Sequence, residues 1–202
     1  MGSRIMHLLI ANRIADQFSI KDKTTFLLGG IAPDAVSPKD KSHFYKGDVN
    51  DFSRSIDYEA FLQKYSSYKK SHYILGYYTH LIADHIWLKG FYLPWLKNRM
   101  ENDHKIFQLY HNDFSLLNSK LLTYYGCTNE LHELLLKQSV IVQLDEITEN
   151  DVKEFIPYIL EDMNTKQSDL NEPLQVFMFD QVVGYVETSI DLGIQKIKSL
   201  IQ

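Results

Sequence analysis

A chain of 202 residues that is 45% apolar and 13% aromatic carries enough hydrophobic material for one core without disulfides or a second subunit. Its 21 basic and 26 acidic residues are intermixed and sum to a charge of −5, which argues against the basic footprint of a nucleic-acid binder. The single Cys127 excludes an intramolecular disulfide and a thiolate metal cluster, so a metal here would take His and carboxylate ligands.

Apolar residues recur at helical spacing and no alternating stretch argues for a sheet. The prediction is an all-α, single-domain bundle of about seven to eight helices spanning residues 1–202. The first helix is expected from a Ser3 cap to about Gln17 and reads as amphipathic. Asn12, Arg13 and Asp16 interrupt its apolar run and no small-residue cleavage site follows, so the chain reads as cytoplasmic. No window approaches the roughly 18 apolar residues of a membrane span. A short second helix over "TTFLLGG" is expected to end where Gly29 and Gly30 supply positive φ. The segment "IAPDAVSPKDKSHFYKGDVNDFS" is the longest irregular one, and long ordered loops often carry function.

Residues 55–69 predict a third helix, and a fourth is expected from near Ser71 to about Lys89, with Gly90 and Pro94 breaking or bending its continuation. A fifth covers residues 103–125 and is closed by Gly126. Three more follow: "NELHELLLKQS", then "TENDVKEFIPYILEDM" with Thr148 as its N-cap, then a last helix from about Pro173 to Leu200. The apolar face of that last helix suits burial in the core or a dimer contact, and the sequence leaves the oligomeric state open.

Within the fourth helix, "GYYTHLIADHIW" places His80 and Asp84 four residues apart, on one face and one turn from each other. The stripe Tyr73, Tyr77, His80, Asp84, Trp87 sets this pair among aromatic residues, where a carboxylate needs a metal or a hydrogen-bonded partner. Two readings stand: a His80–Asp84 core pair, or half of a metal cage. His7 interrupts the apolar run "IMHLLIA", and Asp34 and His43 lie in the long loop. Taken singly these read as a core histidine, a turn residue and a surface histidine. Tyr73, Tyr77 and Trp87 are candidates for a substrate wall, although core packing also accounts for such a stripe.

In order and spacing, "SRIMH", "LLGGIAPDAV", "SHFY" and "GYYTHLIADHIW" resemble the zinc-dependent phospholipase C family, over roughly the first 115 residues. The resemblance implies a phospholipase C/P1 nuclease-like helical fold and a metal-dependent phosphoester hydrolase. It makes His7, Asp34, His43, His80 and Asp84 metal ligands, and gives Asp34 a second role as catalytic base. The implied cofactor is one or two divalent ions, zinc first, with manganese or iron as alternatives. The implied substrate is a small phosphoester or a phospholipid headgroup.

The chain also departs from the family. Secreted members begin, once processed, with a metal-binding Trp, whereas this sequence starts Met-Gly-Ser. No His follows His85 in "HIWLKGFY", and Ser115 stands four residues after His111, where the family has a His-x-x-x-Glu pair. A smaller site is expected, with His111 as a sixth ligand, His104 on the same stripe, and Asp113 on a different face. Two rival readings stand beside this one. His-Asp phosphohydrolases need an adjacent His-Asp dipeptide, which does not occur; a non-catalytic helical scaffold with a degenerate site accounts for the missing ligands.

Overall fold

The computed structural model describes residues 2–201, the side chain of residue 201 excepted. Ser3 starts α1 (Arg4–Gln17) by accepting the Met6 N–H at 3.2 Å, as its cap chemistry requires. The helix is enclosed on nearly all sides: from Ile5 to Ala15 only Arg13 is exposed, so α1 is a central helix and not the amphipathic one expected. Asp22 caps α2 (Lys23–Ile31), which runs through both Gly29 and Gly30 in helical geometry. The expected positive φ is absent there; left-handed glycines are Gly47 and Gly126.

The reason for Gly29 is packing. A Cβ on it would lie 2.0 Å from the Tyr73 carbonyl oxygen, and one on Gly76 would lie 2.0 Å from the Phe26 carbonyl oxygen. Reciprocal glycines therefore let α2 and α4 (His72–Trp87) touch backbone to backbone. α1 and the last helix, α10 (Phe179–Ile201), pack against this pair.

Between α2 and α4 the long segment makes a 3-10 turn at Ala32–Ala35, a two-residue antiparallel ladder of β1 (Tyr45–Lys46) and β2 (Ser55–Ile56), and the short α3 (Tyr58–Lys64). The ladder departs from the all-helical expectation and is too short to leave a periodic signal in the sequence. Beyond α4 the chain widens into a π-helical stretch, Leu88–Leu96, which accommodates Pro94 and passes into α5 (Lys97–Asn102). Gly90 and Pro94 thus mark a change of helix type.

Asp103 caps α6 (His104–Tyr125), and Gly126 closes it at φ 66°. α7 (Thr128–Leu135) follows, then α8 (Glu149–Asp162), where Thr148 and Asp151 form a capping box. After the short α9 (Gln167–Asn171), residues 172–178 are not helical, so α10 begins six residues later than expected from Pro173. The cause is Asp113. Its buried carboxylate accepts the N–H groups of Gln175, Val176 and Phe177 at 2.8–3.1 Å, holding them outside a helical ladder. No described helix is long and apolar enough to cross a membrane.

Candidate metal centre

The close α2–α4 contact orients the first ligand candidate. Gly30 lies in the last turn of α2, where carbonyls lack onward partners, and its oxygen is 2.8 Å from His80 Nδ1. That nitrogen must carry the proton, so Nε2 points inward as a lone pair. His43 is set the same way by the loop. Ser42 Oγ donates to the Lys39 carbonyl at 3.1 Å and accepts from His43 Nδ1 at 2.9 Å, again leaving Nε2 inward. Tyr77 secures this loop by donating to the Ser42 carbonyl at 2.6 Å.

These two inward nitrogens are 3.3 Å apart. Asp84 stands beside them, its Oδ2 3.2 Å from His43 Nε2 and 3.7 Å from His80 Nε2. Its other oxygen, Oδ1, is 3.2 Å from His7 Nε2 and accepts the Gly2 N–H at 3.3 Å. His7 stacks on His80 with ring centroids 3.7 Å apart, and both its nitrogens are buried without a hydrogen-bond partner. Asp34, on the 3-10 turn after α2, completes the cluster with Oδ1 3.5 Å from His43 Nε2. All five side chains are at most 5% exposed.

The electrostatics follow from this enclosure. Burial alone would raise the carboxyls of Asp34 and Asp84, but nearby positive charge, the surrounding histidines included, holds both well below the usual carboxylate range. Burial, then the neighbouring His7, pushes His80 down to about 4, so it stays neutral. Burial also opposes charge on His43, yet its bonds to Asp34 and Asp84 outweigh it and raise that pKa. Two imidazole lone pairs and two carboxylates facing one small space need a proton or a cation between them. The donor set fits a divalent metal, since neutral imidazoles and ionised carboxylates are its ordinary ligands. Two overlapping groups, His7–Asp34–His80 and His43–His80–Asp84, each bring three ligand atoms within 4.8 Å of one another.

Asp34 links the cluster to a cleft of about 660 Å³. Lys39 pairs with Asp34 at the rim, Arg4 reaches Asp162 at 3.2 Å, and Tyr110 and Phe114 form an aromatic wall. The structure brings together His7, Asp34, His43, His80 and Asp84, and leaves His111 apart. His111 sits on the exposed side of α6 at the cleft mouth, its ring against Phe107, outside both ligand groups.

The expected substrate wall is corrected. Tyr73, Tyr77 and Trp87 are 0% exposed and lie in the packed interior, Tyr77 stacked on Phe61 and Trp87 on Phe91. Their stripe faces neighbouring helices and not the cleft. Sequence reasoning also missed the Gly30 carbonyl, Ser42 and Lys39. A backbone acceptor leaves no mark in a sequence, whereas Ser42 and Lys39 stood close to His43 and Asp34 in "APDAVSPKDKSHF".

A helical protein with an enclosed His/Asp cluster opening onto a cleft carries a donor set that could hold a metal ion. A family model described as zinc dependent phospholipase C matches residues 6–180, and the chain belongs to that family. Neither the comparison with curated proteins nor that with solved structures finds a match.

Proposed function

We propose that the protein is a metal-dependent phosphoester hydrolase. The observation that carries this reading is the pair of inward Nε2 atoms of His43 and His80, each fixed by a hydrogen bond on its far side. His7, Asp34, His43, His80 and Asp84 would hold one or two divalent ions, zinc first by family membership, with manganese and iron as the alternatives. A bound ion supplies a Lewis acid that lowers the pKa of water towards neutrality and stabilises phosphoryl charge.

The chain's own residues do the rest. Asp34 stands where cluster and cleft meet, and its ionised carboxylate accepts the proton of the attacking water. Lys39 holds that carboxylate in place, and together with Arg4 it draws an anionic phosphate into the cleft. Tyr110 and Phe114 take the part of the substrate beyond the phosphorus, a small organic group or a phospholipid headgroup. His111 at the mouth is within the cleft lining and can contact substrate there. A non-catalytic scaffold is the second reading, favoured by the separation of His111 from the cluster and by Ser115 in place of an acid.

Elemental analysis of protein purified without a metal-affinity column, wild type against a His80→Ala, Asp84→Ala double variant, decides between them. Near-stoichiometric metal, lost in the variant, is the expected result and directs a phosphoester screen. Wild type that stays metal-free after incubation with divalent ions would overturn the hydrolase reading.

A further inference from the structure

Tyr185, on α10, is left unused by the reaction described above. Its side chain is 3% exposed, and its hydroxyl has no hydrogen-bond partner. Ser189, one turn further on, sends its own proton to the Tyr185 carbonyl at 2.7 Å. An edge-to-face contact with Trp87, with ring centroids 5.0 Å apart, fixes the phenol ring. A buried hydroxyl without a partner is costly, so its direction carries information.

That direction is given by Gly2. A Cβ built on Gly2 would lie 3.1 Å from Tyr185 Oη and 3.1 Å from His7 Nε2. The phenol and the imidazole therefore face one small space beside the Gly2 backbone, and glycine leaves it open. His7 Nε2, 3.2 Å from Asp84 Oδ1, borders the same space, and Gly2 lines the cleft that Asp34 reaches. An unpartnered phenol donor and a ligand nitrogen thus converge beside Gly2.

We propose that Tyr185 is a further substrate-binding residue, its phenol O–H donating to an oxygen of the phosphoryl group held beside His7. The inference rests on the hydrolase reading and adds a donor from a helix outside the family-like ligand motifs. Burial pushes the Tyr185 phenol well above its ordinary range, so it stays protonated at neutral pH and presents a hydrogen where phosphoryl oxygens gather charge.

The test is isothermal titration of inorganic phosphate into zinc-loaded wild type, Tyr185→Phe and Gly2→Ala, with zinc content and unfolding midpoint measured on each. Tyr185→Phe is expected to keep its zinc and its midpoint and to bind phosphate about tenfold more weakly. Gly2→Ala, which narrows the space and spares the phenol, is expected to weaken phosphate in the same direction. Undiminished phosphate binding by either variant with zinc retained would overturn the proposal. So would loss of zinc from Tyr185→Phe, which would make the phenol a support for the ligands, or a zinc-loaded wild type that binds no phosphate. Wild type without zinc would be read directly from the elemental analysis as failure of the metal reading, and the proposal would fall with it.

Discussion

Asp84 and Asp113 are both enclosed carboxylates, 0% and 1% exposed, carried by the long helices α4 and α6, and they are satisfied in opposite ways. Asp113 is held by the backbone N–H groups of Gln175, Val176 and Phe177, donors that no change of pH or ligand can remove. Asp84 is surrounded chiefly by His7, His43 and His80, side chains that can offer it a proton or surrender that place to a metal. The first arrangement fixes a segment of chain and the second keeps a charge available. Burial alone therefore does not mark a functional acid; the chemistry of its partners does.

Asp84→Asn gives the largest expected effect on this contrast. Metal affinity by equilibrium dialysis should fall by more than about 100-fold, and hydrolysis with it, since a ligand is worth more than the groups that orient it. Retention of wild-type metal affinity would erase the distinction between the two acids. Asp113→Ala should do the reverse, costing about 2–3 kcal/mol in urea denaturation by stranding three backbone donors, with metal per chain unchanged.

The smallest effect is a pH dependence. In the metal-free fold the raised pKa of His43 means that its protonated form contributes stability below about 6.5, and this contribution is lost as pH rises through the raised value. Metal must displace that same proton. Loading should therefore weaken as pH falls below the raised value, by up to about tenfold per unit, with protons released on binding. Calorimetry in buffers of different ionisation heat reads the proton count, and zero protons over that range would remove His43 from the metal's partners.

Much of the scaffold was legible in local chemistry. Ser3, Thr148 and Gly126 announce helix ends because capping depends on one residue and its immediate neighbours. Gly29 and Gly30 mislead for the same reason: a glycine that ends a helix and one that admits another helix are the same letter, and only the partner, Tyr73 for Gly29 and Ala11 for Gly30, separates them. α10 starts later than its local pattern suggests because Asp113 holds the segment 62–64 residues further on, just ahead of the helix. His7, Asp34, His43, His80 and Asp84 were readable as a set through the order of their motifs. The aromatic stripe was not readable as wall or core, since Tyr73, Tyr77 and Trp87 satisfy either pattern. Tyr185 gave no signal at all, lying outside any motif and meeting the cluster only through the packing of α10.

The backbone contact between α2 and α4 has a consequence for how this protein can vary. His80 is aimed by a main-chain oxygen, that of Gly30, which no side-chain replacement deletes. What sets its reach is the spacing of two helices, and that spacing depends on hydrogen atoms at positions 29 and 76. A methyl group added at either site, without touching a single ligand, would turn an imidazole as well as loosen a core. In this protein the tolerance of the scaffold and the tuning of the site are one inherited quantity.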